Sequence, residues 1–102
     1  MTDYLLGKIE EFPDGKGRAF RAGTRTIAVF RSKGRLFAMA NRCVHKGASL
    51  CDGNVTEDGT VVRCPWHNWP FRLDNGQNCH DPSERIRTYE VRLEGDQVIL
   101  SA

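Results

Sequence analysis

The sequence predicts an all-β fold, a sandwich or barrel built by the two ends of the chain with a loop-rich subdomain inserted between them. Three observations predict it. Short apolar runs and alternations recur in both ends, separated by Gly- and Asp-bearing turns. No long stretch carries a helical apolar stripe. Residues 41–80 are richer in Gly, Asn, Asp, Cys and His than the flanks, so the middle of the chain reads as loops with short hairpins rather than as continuous strands.

Taken in order, residues 5–9 form a first strand, and Phe12-Pro13-Asp14-Gly15-Lys16-Gly17 a turn-rich loop. Residues 18–22 and 26–31 read as a hairpin around Gly23. Ser32-Lys33-Gly34 turns the chain into a strand over 35–40. In the middle, Val55-Thr56 and residues 60–63 form a hairpin around Glu57-Asp58-Gly59, and Phe71-Arg72-Leu73 a strand ended by Asp74-Asn75-Gly76. Towards the end Tyr89, Val91 and Leu93 alternate with Glu90, Arg92 and Glu94, the period of a half-buried strand. Gly95-Asp96 turns it back into residues 97–101. With 102 residues, one domain over 1–102 is expected.

The net charge of +2 and the scattered basic residues exclude a nucleic-acid binder as the expectation. The longest apolar stretch, Ile27-Ala28-Val29-Phe30, is too short to span a membrane. Residues 1–4 lack the charged and apolar regions of an export signal. A cytoplasmic protein without membrane attachment is therefore expected, and in that compartment cysteines serve as metal ligands or free thiols more often than as disulfides. Mean hydropathy is low, −0.51, and a domain of this size buries only roughly 60–65% of its unfolded surface. A bound metal centre would add folding free energy.

Two segments carry the chemistry: Cys43-Val44-His45 and Cys64-Pro65-Trp66-His67. Each offers one soft thiolate and one imidazole. Zinc fingers pair Cys with Cys and His with His at spacings this chain lacks. The predicted hairpin between the segments would bring them side by side.

The Cys-x-His and Cys-x-x-His order resembles the Rieske [2Fe–2S] site, in which two His replace two Cys on one iron. The resemblance to Rieske-type ferredoxins covers the whole chain. Cys43-Val44-His45-Lys46-Gly47 is similar to the family's first loop and Cys64-Pro65-Trp66-His67 to its second. Phe12-Pro13-Asp14-Gly15-Lys16-Gly17-Arg18, Ile27-Ala28-Val29-Phe30, His67-Asn68-Trp69 and Arg87-Thr88-Tyr89 most resemble the small subunit of assimilatory NAD(P)H-nitrite reductase. The ferredoxins of aromatic-ring dioxygenases more often have Gly where Asn68 stands.

This resemblance implies a Rieske-like β-sandwich or barrel whose cluster-binding subdomain is residues 41–80. It implies that Cys43 and Cys64 bind one iron of a [2Fe–2S] cluster as thiolates, and that His45 and His67 bind the other as neutral imidazoles. The two thiolate charges then cancel those of the oxidised core. Reduction of a neutral site costs less Coulomb energy than reduction of an all-thiolate one. The His-ligated iron is the expected seat of the added electron, and the imidazole edges its exit. Gly47 and Gly53 are expected to let backbone approach the cluster, and Pro65 to direct the second loop. Trp66, Trp69 and Phe71 are candidates to shield one side from water, with ordinary packing in a small domain the alternative that holds alongside.

Rieske proteins of the cytochrome bc type add a disulfide between the loops and two hydroxyls that bond to cluster sulfur. The matching positions here are Ala48 and Trp66 for the disulfide, Trp69 and Phe71 for the hydroxyls. The resemblance is therefore to the low-potential branch, towards the lower end of the roughly −150 to +300 mV Rieske range.

Cys51 and Cys79 are expected to be two free, partly buried thiols, with a disulfide between them the minor alternative. His80 is expected at the surface. Lys46, Arg42 and Arg72 are candidates for a docking face towards an acidic partner, with scattered solvated charges an equally weighted alternative.

The function implied is an electron-transfer component rather than a catalyst on its own. Its partner would be the larger nitrite reductase subunit. The alternative is a freestanding ferredoxin serving the reductase and oxygenase of an aromatic-ring-hydroxylating dioxygenase. A complete oxygenase is rejected, because its iron needs two histidines beyond the cluster pair and only His80 remains. A structural zinc module or redox sensor would be colourless or spectroscopically distinct.

Overall fold

The structure, a computed structural model, describes residues 2–42, 49–65 and 68–102. Nine strands are formed among them: β1 Asp3–Lys8, β2 Lys16–Ala22, β3 Arg25–Ser32, β4 Arg35–Ala40, β5 Asn54–Val55, β6 Val61–Arg63, β7 Pro70–Arg72, β8 Thr88–Glu94 and β9 Gln97–Ser101. Short 3-10 turns stand at Ile9–Glu11 and Leu50–Asp52. The large sheet runs β1-β9-β8-β4-β3-β2 and curls into a nearly closed barrel; β5-β6-β7 form a separate small sheet.

β3 explains how the two sheets are joined. Its run Ile27-Ala28-Val29-Phe30 is fully buried on both faces. Ile27 and Val29 point into the barrel, where they meet Phe12, Ala22, Ala38, Val98 and Leu100. Ala28 and Phe30 point outward and meet Leu50, Val62, Cys64, Phe71, Leu73 and Ile86 from the inserted segment. A strand covered on both faces reads as a continuous apolar run rather than an alternation. β4 repeats the division, with Ala38 inside and Met39 outside. The fold is therefore a barrel with the small sheet packed on one wall.

The two-residue turn between β3 and β4 has Lys33 and Gly34 at φ 51° and 80°, the pair of positive angles that matches strand twist in a tight hairpin. The ends of the chain are tied together by Arg92. Its guanidinium donates to Asp3 Oδ2 at 2.9 Å, Glu94 Oε2 at 2.6 Å and Ser101 Oγ at 3.0 Å, and Ser101 Oγ donates to Asp3 Oδ1 at 2.6 Å.

Two sequence expectations are corrected here. Lys16 and Gly17 belong to β2 and not to the preceding loop. Gly17 pairs with Phe30 in the sheet, and this strand position needs glycine because a Cβ would lie 2.7 Å from the Cys51 carbonyl oxygen and 2.6 Å from the Phe30 ring. The first strand begins at Asp3 and ends at Lys8, with a register shift between Leu5 and Gly7. That shift places Gly7 at φ 137°, as a β-bulge allows.

Candidate metal centre

The first loop, which holds the expected ligands Cys43 and His45, is bounded by the end of β4 and the 3-10 turn Leu50–Asp52. Its base is closed by a side chain. Asn41 Oδ1 accepts the Cys51 N–H at 2.7 Å, while the Asn41 N–H donates to the Thr26 carbonyl at 2.9 Å. Asn41 thus ties the returning turn to β4 and, through Thr26, to β3. The turn sits against β2 at the place Gly17 leaves open.

The second loop joins β6 to β7. The Cys64 N–H donates to the Trp69 carbonyl at 2.9 Å, closing this loop with a backbone bond. Cys64 is fully buried. Its backbone N–H is used in the loop base, which leaves the sulfur as its soft donor. Asn68 has φ 58°, a left-handed conformation that Gly and Asn tolerate best.

Both loop bases pack on one wall. Leu50 and Cys64 belong to the core cluster outside the barrel, with Cys51, Ala40 and Trp69 against it. The hairpin expected between the loops is present, with Asn54 opposite Arg63 and Val55 opposite Val62. Of the four expected ligands, the structure places Cys64 at this wall; Cys43, His45 and His67 lie outside the described residues, as do Lys46, Gly47, Ala48 and Trp66. The described frame fits a cluster: two loops closed at their bases, with a buried soft donor at the base of one. Among the described residues no group of three His, Cys, Asp or Glu side chains could hold a metal ion.

The surrounding residues separate into several roles. Phe71 is fully buried and Trp69 partly so, both in the supporting cluster. Gly53 has an ordinary φ of −72°; a Cβ there would run into the Arg63 carbonyl oxygen. Its close approach is therefore to the partner strand β6. Pro65 is exposed at the head of the second loop.

Cys51 and Cys79 are separate thiols, the first partly buried and the second exposed, so burial was expected for one residue too many. Burial pushes the Cys51 thiol pKa up, and the neighbouring Asp52 charge adds to this. His80 is exposed, with its ring 6.0 Å from that of Trp69. Arg72 is not a free docking charge, because Asp74 holds it through two bonds of 3.0 and 2.8 Å.

Asn41 is a site residue that sequence reasoning missed. An Asn after a strand reads as a loop residue, and only the fold brings Cys51 to it. Asn78 is another. It is fully buried, and its Oδ1 accepts the His80 and Asp81 N–H groups at 2.8 and 3.3 Å. The segment so shaped is attached to β7 by the Cys79 N–H, which donates to the Pro70 carbonyl at 2.9 Å.

Comparison with known proteins agrees with this frame. The chain is 40% identical over 96 residues to the anthranilate 1,2-dioxygenase ferredoxin subunit of Burkholderia cepacia, covering 93% of this chain and 87% of that one. It is 32% identical over 102 residues to the 3-phenylpropionate/cinnamic acid dioxygenase ferredoxin subunit of Photorhabdus laumondii, covering 99% and 95%. Among solved structures, a protein described as the small subunit of an NADH-dependent nitrite reductase from Mycobacterium tuberculosis superposes with a TM-score of 0.93 at 21% identity, covering 99% and 95%. The ferredoxin of carbazole 1,9a-dioxygenase from Nocardioides aromaticivorans superposes with a TM-score of 0.90 at 22% identity, covering 99% and 98%. At these identities the superpositions speak for the fold alone. The family model of the Rieske [2Fe-2S] domain matches residues 2–90, and the chain belongs to that family of electron-transfer domains, whose cofactor is a [2Fe–2S] cluster.

Proposed function

We propose that this chain is the one-electron carrier of a multicomponent ring-hydroxylating dioxygenase, with its cluster held by Cys43 and Cys64 on one iron and His45 and His67 on the other. The cluster supplies reversible one-electron storage. The protein's own part is to hold two short loops in register. Asn41 closes the first and the Cys64–Trp69 backbone bond closes the second. The apolar wall of Leu50, Val62 and Phe71 excludes water from behind them. The reading treats residues 1–102 as one domain with residues 41–80 as its cluster-bearing part. It places the protein in the cytoplasm, and no helix among the described residues is long and apolar enough to cross a membrane.

The observation that carries the choice of partner is the 40% identity, across 93% of the chain, with a dioxygenase ferredoxin subunit. The second reading is the small subunit of an NAD(P)H-dependent nitrite reductase, favoured by the His67-Asn68-Trp69 segment. The φ of 58° at Asn68 weakens that argument. Gly and Asn are the two residues suited to this conformation, so exchanging them preserves the loop and marks a partner poorly. Copurification from native cells decides between the two. An oxygenase component with its reductase is expected; recovery of a chain bearing sirohaem and flavin would replace this reading with the second.

A further inference from the structure

We infer that Arg25, Arg42 and Arg87, gathered around Tyr89 beside the first ligand loop, form the docking surface for a carboxylate-rich face of the partner oxidoreductase component. This rests on the electron-carrier reading and deepens it by naming the surface and the chemistry of its partner.

Three separate stretches of chain contribute. Arg25 opens β3, Arg42 follows β4, and Arg87 precedes β8. The barrel brings them together: the Ala40 N–H donates to the Arg87 carbonyl and the Asn41 N–H to the Thr26 carbonyl, both at 2.9 Å. The guanidinium carbons of Arg87 and Arg25 lie 5.2 and 5.8 Å from the centre of the Tyr89 ring. Stacking on an aromatic face orients a guanidinium and leaves its N–H donors available. Arg25, Arg42 and Tyr89, with Thr26, Ala40 and Asn41, line an open concavity of about 480 Å³ that has no carboxylate in its wall.

All three arginines are exposed. Among the described residues, ion pairs engage Arg72 and Arg92 and none of these three. Their position gives the charge a use. Arg42 directly precedes Cys43, and Asn41, in the same concavity, closes the ligand loop. A partner seated here meets the residues that lead directly into Cys43 in sequence, and an electron carrier needs a short path. Complementary charge at such a surface raises the encounter rate and sets orientation. Three guanidinium groups that recognise planar carboxylates fit an acidic protein face. The absence of a longer basic run disfavours a nucleic acid.

The test uses the full-length, cluster-loaded protein and a fluorescent poly-L-glutamate peptide as probe, with binding read by anisotropy. Wild type is expected to bind at low salt and to release as salt rises. R25E/R42E/R87E, and the neutral R25Q/R42Q/R87Q, are expected to bind at least about tenfold more weakly. The charge-matched control R18E/R35E/R85E is expected to stay within about twofold of wild type. The rate of cluster reoxidation by anionic ferric-EDTA is expected to fall in the patch variants more than in the control. Equal losses in patch and control variants, or no binding by wild type, overturn the proposal. Tighter, patch-dependent binding of a single-stranded oligothymidylate also overturns it, in favour of a nucleic-acid surface. Absorption and EPR spectra of the same samples report separately on the electron-carrier reading, which fails if the Rieske signature is absent whatever the peptide does.

Discussion

Asn41 Oδ1 accepts the Cys51 N–H at 2.7 Å, so that one side chain ties the end of β4 to the turn that returns from the first ligand loop. The residues between them include Cys43 and His45. Asn41→Ala leaves the Cys51 N–H without its acceptor in a partly buried place, which costs about 1–3 kcal/mol. We expect a lower Tm and faster iron release to a chelator, with Asn41→Asp, which keeps an acceptor oxygen, much closer to wild type. An Asn41→Ala protein that melts and loses iron like wild type would show that the loop is held elsewhere.

How far the sequence reaches is clear from particular elements. β4 and β9 were legible to the residue, because alternation or apolar content stops at unmistakable turns, Lys33-Gly34 and Gly95-Asp96. β3 was legible as a strand, but not its double burial, which depends on what the inserted segment brings to its outer face. Gly17 read as a turn residue because glycine usually marks one. Its reason here is the Cys51 carbonyl, a contact from far along the chain. The four ligands are expected from spacing and family resemblance, and of them only Cys64 falls among the described residues. The charges near Cys64 and Asn41 were not legible: Arg72 looked available, but Asp74 holds it, and Arg25 and Arg87 looked scattered until the barrel set both on Tyr89.

The ligand assignment predicts a sharp division among the Cys and His residues. Cys43→Ser, Cys64→Ser, His45→Ala and His67→Ala are each expected to abolish the Rieske EPR and absorption features. Cys79→Ser and His80→Ala, at exposed positions, are expected to retain both. The decisive measurement is iron content together with the EPR spectrum of the reduced protein. Loss of signal in His80→Ala with retention in His67→Ala would reassign the second histidine.

Acid should weaken the tie between the chain ends. The Ser101 hydroxyl bond, and after it the Arg92 bond, hold the Asp3 carboxyl below its ordinary pKa of 3.8. A carboxylate with a lowered folded pKa contributes stability above its unfolded value, and that contribution is lost as pH falls through the folded one. Asp58, held by Thr56 and Thr60, and Asp74, held by Arg72, shift in the same direction. Stability is thus expected to be flat from neutral pH to about 5 as far as these groups are concerned, then to fall below about pH 4. Asp3→Asn should flatten part of that fall. The check is Tm against pH for both proteins; parallel curves down to pH 3 would remove Asp3 from the explanation.

The absence of a hydroxyl at Phe71 bears on the potential. Phe71 stands on β7 opposite Val62 and is fully buried in the wall behind the second loop. The resemblance to the low-potential branch rests partly on this position, where high-potential relatives carry a Tyr that bonds to cluster sulfur. A hydrogen bond strengthened on reduction by about 1 kcal/mol corresponds to about 40 mV for a one-electron couple. Phe71→Tyr is therefore expected to raise the midpoint potential by tens of millivolts. A tyrosine hydroxyl that fails to find an acceptor at so buried a site would instead cost stability, by about 1–3 kcal/mol. Protein-film voltammetry and thermal melting, done together, separate these outcomes. A raised potential with near-normal Tm means that the hydroxyl reaches the cluster. An unchanged potential with a lowered Tm means that β7 does not aim this side chain at it, and the low-potential argument would then have to rest on other features of the two loops.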